Sequence, residues 1–109
     1  MEHRWGTRLP VTLDVSLIGR DRSVMHGQLR NIGPEGMFVH LEAAVLAENV
    51  AVEVELPLGE TNRRVKAWVV HSSEDGAGLL LFAPDDNDYR RLLHAAIRQQ
   101  LGVENGEAR

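Results

Sequence analysis

The sequence predicts a mainly β domain: six short antiparallel strands, closed into a barrel, followed by one C-terminal helix. Three observations predict it. Apolar and polar residues alternate with period two in several runs between residues 10 and 82. Glycine-bearing or polar turn clusters separate those runs at short intervals. A single stretch of helical period, with its own acidic start, follows the last run. At 109 residues, 43% of them apolar and 26% charged, the chain is expected to form one globular domain.

Residues 1–9 show no alternation and carry Arg4, Trp5, Gly6 and Arg8, so they are expected to form a flexible arm. Residues 10–101 are expected to make the barrel and helix, and residues 102–109 a disordered tail. Val11, Leu13, Val15 and Leu17 alternate with Thr12, Asp14, Ser16 and Ile18, the pattern of a half-buried strand. Gly19–Arg22 turns the chain, and Ser23–Ile32 returns. Gly33-Pro34-Glu35-Gly36 is a second turn, in which Pro34 fixes φ and Gly36 is free to take a positive φ. Gly36–Leu41 is a short third strand, and Glu42–Asn49 a connection or short helix.

Val50, Val52, Val54, Leu56 and Leu58 give the clearest alternation in the chain. Gly59–Asn62 turns it, and Arg63–Ser72 runs back with Val65, Ala67 and Val69 on one face and Lys66, Trp68 and Val70 on the other. Ser73–Gly76 marks another hairpin, and Gly78–Phe82, apolar throughout, reads as a central strand. Asp85-Asp86-Asn87-Asp88 opens a helix at its positive dipole end. Tyr89, Leu92, Leu93, Ala96, Ile97 and Leu101 form its apolar stripe, and Gly102 is expected to end it.

Composition excludes several functions. A net charge of −4 and a pI near 5.7 provide no basic field for long nucleic acid, although a few local arginines suffice for a small anion. With no cysteine there is no disulfide, thiolate metal site or cysteine nucleophile, which fits a cytoplasmic protein. No run reaches the length of a membrane span, so no membrane insertion is expected. His26, His40 and His94 lack metal-ligand spacing, and the serines and carboxylates form no catalytic arrangement. No enzyme activity, metal or cofactor is expected.

Two stretches stand out from this scaffold. Arg4-Trp5-Gly6-Thr7-Arg8 places two guanidinium forks four residues apart, each able to grip a phosphate or the O6/N7 edge of guanine, or to stack on a purine. Asn31-Ile32-Gly33-Pro34-Glu35-Gly36 joins an amide, which both donates and accepts, to a turn whose glycines let backbone approach a ligand. Taken singly, each also fits solvated arginines or an ordinary hairpin.

Together, the R-x-x-x-R leader, the first hairpin and the Asn31–Gly36 stretch resemble the PilZ domain, a bacterial receptor module for cyclic di-GMP. The Val65–His71 strand, the Gly76–Phe82 segment and the closing helix extend the resemblance over nearly the whole chain. It implies a six-stranded split barrel with a C-terminal helix, and a site where the arginines wrap the dinucleotide against the barrel. By that resemblance Arg4 and Arg8 take phosphates and guanine faces, Asn31 meets a guanine edge, and Gly33 and Gly36 shape the turn. His71 stands where family members can place a side chain against the ligand. The implied partners are cyclic di-GMP and a protein effector. The family's motif serine is Gly33 here. The alternative expectation is a barrel used only for protein–protein contact in pilus assembly or motility, without nucleotide.

Overall fold

The structure, a computed structural model, describes residues 8–41, 46–58 and 61–108, with backbone alone at 58, 61 and 99–108. Six strands precede one helix: β1 Leu9–Ile18, β2 Val24–Ile32, β3 Gly36–Leu41, β4 Ala51–Leu58, β5 Thr61–Ser73, β6 Gly76–Leu81 and α1 Asn87–Ala108. They close into an antiparallel barrel in the order β1-β2-β3-β6-β5-β4, as the alternation predicts. Four hairpins, β1–β2, β2–β3, β4–β5 and β5–β6, supply most of the pairing. The barrel closes where β3 meets β6 and β4 meets β1. Inward positions such as Leu17, Leu29, Val39, Val54 and Val69 are fully buried, and they form one continuous core.

The helix starts where its acidic run places it. Asp86 Oδ1 accepts the backbone N–H of Asp88 at 2.8 Å and of Tyr89 at 3.1 Å, capping the first turn. Tyr89, Leu92 and Ala96 are buried against the barrel core. Ile97, the next position of the stripe, is exposed.

Several boundaries differ from the sequence expectations. β1 begins at Leu9, inside the stretch expected as an arm. Thr61 and Asn62 are not turn residues but pair with Leu58 and Pro57, so β5 starts earlier than expected. Within Glu42–Asn49, residues 46–49 contain a turn rather than a helix, with Asn49 at φ 66°; residues 42–45 lie outside the described residues. The helix continues through Gly102 to Ala108. A mid-helix glycine costs only about 1 kcal/mol relative to alanine, and no proline follows to stop the helix. Ile18, assigned by alternation to the polar face, is buried outside the core cluster. Conversely, Leu80 and Phe82 of the segment read as central are exposed, because a barrel strand still has an outer face.

Candidate functional site

Two irregularities in the strands place the site residues. In β2, Leu29 pairs with Val39 and Asn31 with Phe38, so Arg30 is an extra residue relative to β3. Strict alternation would send Asn31 inward. The bulge instead leaves Arg30 and Asn31 both on the outer face and returns Ile32 to the core. β1 bulges opposite, since Pro10 pairs with Asn31 and Leu13 with Leu29. Arg8, just before β1, is thereby brought beside Asn31.

There the Arg8 guanidinium Nη1 donates a 2.7 Å hydrogen bond to Asn31 Oδ1. Arginine can only donate, so this bond settles which way the amide faces. Asn31 keeps its NH₂ donors, and Arg8 retains further N–H donors. The pair therefore offers an array of donors, complementary to phosphate oxygens or to the acceptor pair O6/N7 of guanine. Arg30 adds a third cation-or-amide donor beside them; it makes no ion pair among the described residues. Sequence reading passed over Arg30 because nothing local signals the bulge.

The turn after Asn31 is fixed from beneath. Gly33 N–H donates to the Gly36 carbonyl at 2.8 Å, and Leu81 N–H donates to the Glu35 carbonyl at 2.9 Å. The Tyr89 hydroxyl, fully buried, meets the Gly33 carbonyl in a short contact and the Gly36 carbonyl at 3.0 Å. One phenol from the helix thus secures both ends of the turn. Burial raises the Tyr89 pKa, only partly opposed by the positive charge of Arg8 and the bond to Gly33, so the hydroxyl stays protonated as a donor. Sequence reading treated Tyr89 as a core position. The available signal was a tyrosine opening an otherwise aliphatic stripe, since a buried phenol needs a partner.

Gly36 departs from expectation in its reason. It does not adopt a positive φ. Instead, any Cβ there would collide with the Leu79 carbonyl oxygen, so glycine is required by the close approach of β6.

His71 is exposed on the outer face and lies in one cross-strand row with the pair: Asn31 opposes Phe38, Phe38 opposes Gly78, and Gly78 opposes His71. At the usual strand spacing, His71 stands about 14 Å from Asn31. Gly78, lacking a side chain, leaves the row open between Phe38 and His71. The structure therefore joins Arg8, Asn31, Gly33 and Gly36 at one end of the barrel and sets His71 at the far end of the row. Arg4 lies outside the described residues. No group of side chains suited to a metal ion occurs among the described residues.

The sequence over residues 2–99 matches the model of the PilZ domain. The chain belongs to the PilZ family. PilZ domains are ligand-binding adaptor modules rather than enzymes, and the family is known for receptors and effectors of cyclic di-GMP. Among solved structures, this PilZ domain is similar to the crystal structure of the PilZ domain of CeSA from a cellulose-synthesising bacterium. The TM-score is 0.61 at 20% identity, over 91% of this chain and 99% of that one. At that identity the likeness concerns the fold. No curated protein matches the chain. The barrel is closed and six-stranded, and no described helix is long and apolar enough to cross a membrane.

Proposed function

We propose that this PilZ domain is a cyclic di-GMP receptor that orders its N-terminal arm on the ligand and signals to a protein effector. The observation that carries the reading is the Arg8–Asn31 hydrogen bond, which unites the two motif stretches beside the turn. Arg8 takes a phosphate or the O6/N7 edge of one guanine, and the Asn31 NH₂ meets a base acceptor. Arg4 supplies the second fork from the arm. The Gly33–Gly36 turn, secured by Tyr89, gives the backbone wall on which the nucleotide rests, and His71 bounds the row on the other side.

Gly33 in place of the family's serine removes one neutral hydrogen bond, worth about 0.5–1.5 kcal/mol. Charge-assisted arginine contacts of about 1.5–3 kcal/mol each outweigh it. Closure of the arm over the nucleotide then makes a composite surface that the effector reads.

The test is an amide NMR titration of the full chain with cyclic di-GMP. The reading requires shifts concentrated at Arg8, Asn31, Gly33, Glu35 and Gly36, with residues 19–23 at the opposite hairpin unaffected. The second reading, a barrel that only contacts proteins, draws on the glycine at position 33. An unchanged spectrum at high ligand concentration would favour it.

A further inference from the structure

Outward positions on β5 and β6 carry four large apolar side chains: Trp68 is 43% exposed, Val70 51%, Leu80 39%, and Phe82, just past β6, 43%. They adjoin one another. Trp68 pairs with Leu80 in register and stacks on Phe82 with ring centroids 4.7 Å apart at 26°. Val70 is the extra residue of a bulge, because Val69 opposes Leu79 and His71 opposes Gly78. Filling the core explains none of these side chains, and a contiguous exposed patch of this kind marks an interaction site.

Beside the patch opens a cleft of about 470 Å³, bordered by Phe82 and lined by Arg20, Arg22, Arg64 and Lys66 against a single carboxylate, Glu53. Arg64 lies 3.6 Å from both Glu53 and Glu55. Arg20, Arg22 and Lys66 make no ion pair among the described residues. The hairpin tip that bears the two arginines is ordered. Gly19 N–H donates to the Ser23 carbonyl at 2.9 Å, Arg22 N–H to the Gly19 carbonyl at 3.0 Å, and Asp21 is occupied by Ser23. In a chain of net charge −4, this is a local reversal of sign next to an aromatic platform.

We propose that this face docks a partner protein through an acidic segment bearing an aromatic or aliphatic anchor. The anchor packs on the Trp68–Phe82 stack, and flanking carboxylates enter the cleft toward Lys66, Arg20 and Arg22. Apolar anchors provide the affinity at such interfaces, while complementary charge selects and orients the partner. The face also reaches toward the turn. Gly36 opposes Leu80 and Leu80 opposes Trp68, so the platform begins about 10 Å, two strand spacings, from Gly36. Docking itself needs no nucleotide.

The test is selection of peptides from a random display library on the immobilised full chain, followed by anisotropy titrations of the best synthetic peptide. The expected peptides carry Asp or Glu around a Trp, Phe or Leu. Trp68→Ala and Lys66→Glu should each weaken binding about tenfold or more, and added salt should weaken it. Both substituted positions are solvent-facing, and Lys66→Glu decides the matter if Trp68→Ala proves unstable. Absence of enriched peptides, enrichment without acidic residues, or equal binding to Lys66→Glu overturns the proposal. So does a concentration-dependent dimer abolished by Trp68→Ala, which would assign the face to a second copy of the chain.

Discussion

Arg8 and Asn31, 23 residues apart in sequence, meet in a 2.7 Å hydrogen bond where β1 begins and β2 ends. The bond is exposed, so its value for folding is small. Its consequence is preorganisation: the Asn31 Oδ1 is engaged by Arg8, so the amide is held in one orientation with its NH₂ donors left for a ligand. A double-mutant cycle of Arg8→Ala and Asn31→Ala should show a stability coupling below about 1 kcal/mol in denaturant melts, as exposed charged pairs do. In nucleotide titrations the same cycle should be strongly non-additive, because removing Arg8 also releases the amide.

Tyr89→Phe keeps the ring in the core but takes the buried donor from the Gly33 carbonyl, while the Gly36 carbonyl keeps the Gly33 N–H. Loss of a buried donor costs about 1–3 kcal/mol. The expected result is a Tm lower by several degrees, together with a weaker cyclic di-GMP isotherm. Unchanged affinity would show that the turn does not need the helix to hold its shape.

The same hydroxyl predicts a pH dependence. The Tyr89 pKa is raised in the folded state above its ordinary value of 10.0. Below pH 10 both states are protonated and the bonds contribute fully. Above it the unfolded chain loses the proton while the folded protein retains it, so stability falls by about 1.4 kcal/mol per pH unit until the folded-state pKa is reached. Because Tyr89 is the single tyrosine, tyrosinate absorbance follows it directly. Tyr89→Phe should have a visibly flatter stability profile above pH 10.

How much of this was legible in the sequence depends on how local each cause is. Alternation within β1 and β4, the Asp86 cap and the turn at Ser73–Gly76 depend on neighbouring residues, and those features were readable. The bulges that aim Asn31 and His71 outward depend on how two strands pair, which no single strand encodes. The Tyr89 contacts join positions more than fifty residues apart, so only the oddity of a tyrosine in the stripe hinted at them. Gly36 was readable as a glycine free to take a positive φ or to let backbone approach a ligand; the neighbouring strand that actually excludes a side chain was invisible.

Gly36→Ala follows from that correction. The new Cβ would strike the Leu79 carbonyl oxygen, so β3 and β6 must separate where they close the barrel. A loss of about 1–3 kcal/mol, typical of overpacking, is expected in a denaturant melt. A neutral result would mean that the two strands yield more easily than their pairing implies.

Gly33→Ser restores the hydroxyl that other family members carry. If the Asn31–Gly36 turn contacts the ligand, affinity for cyclic di-GMP should rise, by up to about tenfold for one neutral hydrogen bond. An equal or weaker isotherm would remove position 33 from the site.

The most direct measurement of the central claim is isothermal titration calorimetry of the full chain with cyclic di-GMP, run in parallel on Arg8→Ala. A saturable heat for the wild type, weakened at least about tenfold by the substitution as expected for one charge-assisted contact, is the predicted result. No heat from the wild type, or the same affinity in Arg8→Ala, would contradict it.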